Sequence, residues 1–449
     1  MDETLSVGGF LRNANVADVD LRHPEDGNPG VGGTHFGFVS LTYYLKKYRG
    51  EDIHPVLYAQ STGKLPESVE AVAALTPIEA IQKAAEDGCD MFLIRIGGED
   101  SYRDIFDVAS RVELPILVWA HNFPCPKLLD EAASRSIVRR IICVGQEELD
   151  RHRDHPAFYK SQRIFNGIDP AVFAPSSHEV GKGNTVVYLG SLIESKGFHK
   201  LARVWPGIRQ RVPEAELVVV GSGALYDRNA ELGGWGIASE KYERRFRKYL
   251  SDSDGDPLPS VTFKGNMGTE KIPLLQRADV GVANPTGITE TFCWSAVEFQ
   301  ASGTPVVSAA EGGLLDTVRD GETGVLIQSD DELEDGIVRL LRDEELREQF
   351  GKAALRFVSA KFSYEKICEE WSNLFKDVLQ GCPAPIEPVR QNLGYRYKWF
   401  REGMRLAKKR FSFLRGVPPL FAWRPKMRRF VEKIMFRIGY KKHTSKKDK

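Results

Sequence analysis

Residues 280–313 read VGVANPTGITETFCWSAVEFQASGTPVVSAAEGG, and this stretch decides how the chain folds. The strand-like VGV and a turn-rich segment lead to Glu290, and the helix-like SAVEFQASG carries Glu298. Thr304-Pro305-Val306-Val307 then reads as a buried strand, and Glu311-Gly312-Gly313 as a second turn into a helix. Short apolar runs alternating with helical segments mark an α/β domain whose parallel strands are covered on both faces.

Seven residues separate Glu290 from Glu298. If the helix begins near Thr291, Glu298 lies two turns inside it, about 12 Å along the axis, with Glu290 at its N-terminal mouth. An ionised carboxylate only accepts hydrogen bonds and takes two from a vicinal diol, so the pair suits an elongated ligand rich in hydroxyls. The plainer reading is one acid favoured by the helix dipole and one ordinary surface glutamate.

Working outward, the same alternation runs from Thr185 to Ile327, with candidate strands at residues 185–190, 216–221, 261–263, 280–282, 306–307 and 325–327. An earlier series has apolar runs at 55–59, 91–96, 116–120 and 141–144, with a weakly announced first strand at 4–10. Ser, Gly and charge fill 176–184 between the two series. The expected organisation is an N-terminal Rossmann-like domain over 1–175, a second over 184–362, a crossover helix over 363–380 and a basic tail over 381–449. Two such units face a cleft, because ligands bind at the carboxyl ends of parallel strands.

The 280–313 stretch resembles the retaining nucleotide-sugar glycosyltransferases of family 4. Their signature is Glu, any residue, Phe, Gly, four residues and Glu, then a small-Gly-x-Pro-Val-Val strand. Glu290, Phe292, Glu298, Gly303, Pro305, Val306 and Val307 match, while Cys293 stands where the family usually has Gly. The resemblance runs over residues 30–380 and is most specific over 185–327. It implies a GT-B fold, a last helix returning to the first domain, and transfer with retention without cofactor or metal.

The turn Gly190-Ser191-Leu192-Ile193-Glu194-Ser195-Lys196-Gly197 links a strand to a helix, where backbone N–H groups and a lysine meet an anion such as a diphosphate. The family has Arg after the first glycine; Ser191 replaces it, and Lys196 matches the family lysine. Gly30-Val31-Gly32-Gly33 opens a helical run in the first domain, similar to the family's first glycine-rich loop. Neither it nor Gly221-Ser222-Gly223 completes a dinucleotide fingerprint, which counts against a nicotinamide enzyme. His121 follows the strand 116–120 and resembles the family histidine that contacts the transferred sugar. The resemblance thus implies catalytic roles for Glu290, His121 and Lys196, and donor binding by Gly32, Gly33, Gly190, Ser191, Lys196, Glu290, Thr291, Phe292 and Glu298. Asn166-Gly167-Ile168-Asp169 matches the family crossover, with Asn166 or Gly167 expected at positive φ.

Hydrophobic content of 42% and a charged fraction of 28% are those of a globular protein. Six scattered cysteines without a C-x-x-C pair argue for reduced thiols and against a zinc site. With no basic leader and no apolar run near the ~18 residues that span a bilayer, the chain is expected to be cytoplasmic. Charge is unevenly spread: residues 381–449 hold 20 Lys/Arg against 4 Asp/Glu in a chain of zero net charge. A basic amphipathic helix beginning at Pro425, preceded by the aromatic and cationic segment Tyr397 to Leu414, suits the anionic inner face of a membrane through residues 397–442. Docking of the tail onto the acidic body and nonspecific nucleic-acid contact are the competing readings, and specific nucleic-acid binding is not expected.

The expected function is transfer of a sugar from a nucleotide-diphosphate sugar to a saccharide or lipid-linked acceptor in cell-surface glycan synthesis. The alternatives are a non-catalytic, membrane-associated glycan-binding scaffold and a nucleotide-sugar epimerase on the same fold.

Overall fold

A computed structural model describes residues 4–95, 101–175, 184–225, 230–386, 398–411, 413–414 and 417. Its first domain is built on strands β1 (Leu5–Leu11), β2 (Ile53–Ala59), β3 (Glu70–Ala73), β4 (Met91–Ile94), β5 (Ile116–Ala120), β6 (Val138–Cys143) and β7 (Ser161–Arg163). They form one parallel sheet in the order β3-β2-β1-β4-β5-β6-β7. The second domain has β8 (Thr185–Leu189), β9 (Glu216–Val220), β10 (Val261–Gly265), β11 (Val280–Val282), β12 (Val306–Ala309) and β13 (Gly324–Ile327), parallel in the order β10-β9-β8-β11-β12-β13. In each sheet the strand order reverses beside the first strand, at β1/β4 and at β8/β11, which opens a crevice at the carboxyl ends of the strands.

The central strands are nearly all buried, as their unbroken apolar runs require. β1, faintly marked in sequence, is central and pairs with β2 over its whole length. The two edge strands β3 and β7 escape an apolar reading because no residue of EAVA is buried, and SQR is polar throughout with only Ser161 buried.

The helix Tyr364–Leu379 lies against the first domain. Tyr364 stacks on Tyr44 with ring centroids 4.0 Å apart, Trp371 meets Trp119 edge-on at 5.3 Å, and Lys376 Nζ stands 3.0 Å from Asp52 Oδ2. The crossover is stitched to the start of that helix by Ile168 N donating to Phe362 O at 2.8 Å and Tyr364 N donating to Ile168 O at 3.0 Å. Neither Asn166 nor Gly167 has a positive φ, contrary to the expectation. Gly167 is needed for space, since a Cβ there would sit 2.4 Å from a Tyr364 ring carbon.

Two further hydrogen bonds hold the domains around the cleft. Gln146 N donates to Asp316 Oδ2 at 2.7 Å, and Gly312 N donates to Glu147 Oε2 at 2.9 Å. Burial pushes the Asp316 carboxyl up to about 6.

The tail reading needs correction in part. The helix Lys398–Arg410 turns Arg401, Arg405 and Lys408 into the first domain, where all three are buried. Arg401 donates to Asp150 O and faces Asp154, while Arg405 donates to Arg153 O at 3.3 Å and lies over the Phe158 ring at 4.6 Å. These cations therefore dock on the body and do not face a leaflet. The second amphipathic helix expected from Pro425 lies outside the described residues. Among the described residues, no helix is long and apolar enough to cross a membrane.

Candidate active site

The two sheets face a cleft of about 470 Å³. Every residue singled out from the sequence lines it: Gly32, Gly33 and His121 from the first domain, and Gly190, Ser191, Lys196, Glu290, Thr291, Phe292 and Glu298 from the second.

Lys196 is carried on the 3-10 turn Glu194–Lys196, which Gly197 ends at φ +78°. Only a glycine is at ease there, and a Cβ would also meet Thr286 at 2.7 Å. The turn is held from below by Tyr188 Oη, which donates to Lys196 O at 3.0 Å. Lys196 Nζ then reaches Glu290 Oε2 at 2.8 Å. The same carboxylate oxygen accepts from Asn284 Nδ2 at 2.7 Å. Glu290 is thus fixed by a cation and an amide, both from loops at strand ends.

The loop before Glu290 stores backbone strain. Asn284 has φ +40° and Thr289 φ +59°, a conformation that a β-branched residue rarely adopts. Asn284 Oδ1 accepts from Thr286 Oγ1 at 2.7 Å and from Gly287 N at 3.1 Å, so one side chain both shapes the loop and grips the acid.

The helix of this segment is Trp294–Ala301, so it starts at Trp294 and not near Thr291. Glu290 belongs to the irregular lead-in, and Glu298 lies about one turn inside the helix. Its partner is Lys271, on the turn Thr269–Lys271, with Nζ 3.0 Å from Glu298 Oε1. Cys293 has φ −97°, an ordinary conformation, so the side chain that replaces the family glycine causes no backbone strain. Burial raises its thiol well above the usual range.

From the opposite wall, His121 projects at the end of β5. It is 7% exposed, and its Nε2 has no partner among the described residues. Burial, helped by the charge of Arg95, pulls its pKa down to about 3, so the imidazole is neutral near pH 7. Thr291 Oγ1 donates to His121 O at 2.7 Å, which ties the helix lead-in of one domain to the histidine of the other. Phe292 packs with Phe165, Phe362 and Trp294, and so shapes the cleft wall as part of an aromatic cluster.

Trp294 explains the glycines of the first loop. A Cβ on Gly33 would lie 2.7 Å from the indole, and one on Gly37 2.9 Å from it. Its Nε1 donates to Gly167 O at 3.3 Å. Ser191 is buried and donates to Ser222 O at 3.1 Å, so its hydroxyl is engaged inside the second domain.

Sequence reasoning missed Asn284, Lys271, Trp294 and Arg95, all of which line the cleft. None sits in a recognisable spacing. The Asn-Pro-Thr-Gly turn around Asn284 was the one available signal, because Asn tolerates positive φ and bonds its own backbone.

Two facing Rossmann-like domains with ion-paired carboxylates and a neutral histidine at their strand ends define a GT-B protein. Residues 173–357 match the model of the family described as glycosyl transferases group 1. A D-inositol 3-phosphate glycosyltransferase of Corynebacterium aurimucosum is 32% identical over 213 residues, 47% of each chain. A GDP-mannose-dependent alpha-(1-6)-phosphatidylinositol monomannoside mannosyltransferase of Mycobacterium tuberculosis is 27% identical over 222 residues, 46% of this chain and 52% of that one. The chain thus spans about half the length of these curated relatives. In three dimensions the HepE protein of Anabaena, crystallised with UDP, superposes with a TM-score of 0.60 at 16% identity, covering 83% of this chain and all of the other. That likeness establishes the fold.

Proposed function

We propose that this chain is a retaining glycosyltransferase that moves a sugar from a nucleotide-diphosphate sugar to a saccharide or lipid-linked acceptor in surface-glycan synthesis. The observation that carries the reading is the pairing of Lys196 with Glu290 and of Lys271 with Glu298 on one wall, opposite a neutral His121 whose Nε2 has no partner among the described residues. Glu298 takes the ribose hydroxyls, Glu290 the sugar hydroxyls, Lys196 the diphosphate, and His121 the transferred sugar from across the cleft.

Both cleft carboxylates are held on lysines, which makes each a poor nucleophile. Front-face displacement within an ion pair follows, with the departing phosphate as base. The charge that grows on the leaving group is assigned to side chains and backbone N–H groups instead of a metal. Among the relatives there are names that specify GDP-mannose and structures that hold UDP, which supports a nucleotide-diphosphate donor without choosing the base.

The chain is further proposed to work in the cytoplasm against the inner membrane face. Support comes from the exposed Phe400, Leu406, Phe411 and Phe413, which lie on or just beyond the helix whose buried cations dock on the first domain. The scaffold alternative rests on Ser191 and Cys293 alone, and the ordinary backbone at Cys293 weakens it.

The test is calorimetric titration with UDP, GDP, ADP and dTDP, followed by turnover of the matching sugar donors in EDTA and determination of the product anomer by NMR. Binding of one nucleotide, EDTA-insensitive turnover and a retained anomer are the expected results. An inverted product, a trapped glycosyl-enzyme or activity abolished by EDTA would each overturn the corresponding part of the mechanism.

A further inference from the structure

Glu290 is seated from both domains. Its side chain rests on Lys196 and Asn284 of the second. Its backbone carbonyl accepts from Gly313 N at 2.9 Å, and the neighbouring Gly312 N donates across the domain boundary to Glu147 Oε2, also at 2.9 Å. This turn has no slack: a Cβ on Gly312 would lie 2.5 Å from Glu290 O, and one on Gly313 2.3 Å from Thr291 O. Gly145, which precedes the first-domain helix Gln146–Arg151, closes on the same segment, with a Cβ expected 2.2 Å from Thr291 O. The backbone of Glu290 and Thr291 is thus enclosed by glycines of both domains.

Glu147 is 4% exposed, and both of its oxygens are engaged. Oε1 accepts from Arg151 Nη2 at 2.7 Å and from Arg151 Nε at 3.2 Å. The Arg151 guanidinium in turn lies 3.5 Å over the ring of Phe123, two residues beyond His121. A carboxylate leaves water only at a cost that such partners must offset. Here one oxygen holds the turn behind Glu290, and the other reaches, through Arg151, the loop that follows His121. Glu147 is not itself among the residues lining the cleft, so its effect on a reaction there passes through those two loops.

We propose that Glu147 is a positioning residue for sugar transfer: from the first domain it fixes the Gly312–Gly313 turn that seats Glu290. The inference rests on the nucleotide-sugar reading above and deepens it. Its consequence is that Glu290 takes up its working position only while the two domains are closed on each other, so the loss on breaking the contact falls on turnover and not on donor binding.

The test combines amide hydrogen exchange, steady-state kinetics and calorimetry on the full chain, comparing wild type, Glu147→Ala and Glu147→Gln. In Glu147→Ala the peptide that carries Gly312 and Gly313 should exchange faster, while the strand Val306–Ala309 keeps its protection. The same variant should lose between about tenfold and a hundredfold in kcat, as for a misplaced reacting group, with affinity for the nucleoside diphosphate that the wild type prefers unchanged. Glu147→Gln keeps an acceptor for Gly312 N and should recover part of the protection and part of kcat. If thermal unfolding shows that Glu147→Ala is not folded, Glu147→Ala/Arg151→Met replaces it, since that variant strands no cation. Unchanged exchange at Gly312, unchanged kcat, a loss of diphosphate affinity as large as the loss of kcat, or a Gln variant as impaired as the Ala variant would each overturn the assignment alone. If the wild type turns over no nucleotide sugar while the exchange pattern is as expected, the nucleotide-sugar reading falls and the positioning role falls with it.

Discussion

Lys271 Nζ stands 3.0 Å from Glu298 Oε1, and both side chains are almost fully buried at the edge of the cleft. Removing one partner of such a pair strands the other charge, which costs about 3 kcal/mol or more. Lys271→Met is therefore expected to lower stability by that amount, and the double variant Lys271→Met/Glu298→Gln to regain part of it. Glu298→Ala separates the two roles: it should cost about 1.5 to 3 kcal/mol in nucleotide affinity, as for a charge-assisted hydrogen bond. Chemical denaturation and calorimetry read the two quantities. Full nucleotide affinity in Glu298→Ala would remove it from the donor site.

Lys196 is expected to matter in the transition state more than in donor binding. Its partner Glu290 already balances it, so the extra charge it meets is the one that develops on the departing phosphate. Lys196→Ala should lower kcat by about 3 kcal/mol, roughly a hundredfold, with a smaller change in donor KM. An unchanged kcat with a raised KM would make Lys196 a ground-state contact instead.

Much of this was legible in the sequence, because buried parallel strands write themselves as continuous apolar runs. Ile116–Ala120 and Val280–Val282 are strands of the same bounds as those runs. Glu290 and Glu298 were legible as a pair because a fixed spacing carried them. Their partners were not: Lys271 and Asn284 reach the cleft from other loops, and nothing local distinguishes a buried lysine from a solvated one. The helix starts at Trp294 and not near Thr291, because the Thr291 hydroxyl is spent on His121 O in the irregular lead-in, a contact between distant parts of the chain that no local spacing shows. Positive φ at Asn166-Gly167 was misread for a related reason, since turn chemistry and close packing both select glycine.

Gly167 gives the sharpest packing prediction. With a Cβ expected 2.4 Å from the Tyr364 ring, Gly167→Ala must displace the helix Tyr364–Leu379 or the crossover. Overpacking of this kind costs about 1 to 3 kcal/mol. Thermal unfolding should show the loss, and Gly167→Ala/Tyr364→Leu should recover some of it. An unchanged melting temperature in the single variant would mean that the crossover yields freely.

For the tail, Phe411 and Phe413 are the residues to change, because both are exposed while Arg401 and Lys408 are buried. Phe411→Asp/Phe413→Asp should reduce co-sedimentation with vesicles of anionic phospholipid severalfold and leave nucleotide binding intact. Equal sedimentation of the double variant and the wild type would take these rings out of the membrane contact.

His121 makes the fold sensitive to acid in a calculable way. Its ordinary pKa of 6.5 falls to about 3 in the folded chain, by burial first and by Arg95 second. An unfolded chain takes up the proton as pH drops through 6.5, and the folded chain resists until about pH 3. The unfolded state therefore binds more protons throughout that window, and stability that is present above it is lost as pH falls. Between about pH 7.5 and 5.5 this one residue should account for about 1.4 kcal/mol of lost stability. Denaturant titrations of wild type and His121→Asn at the two pH values isolate that share from the opposing contribution of Asp316, whose raised pKa favours the folded state on acidification. The drop should shrink by about 1.4 kcal/mol in the variant. A drop of equal size in both proteins would mean that the imidazole is hydrated and charged at pH 5.5, and the neutral histidine assigned to the sugar would have to be given up.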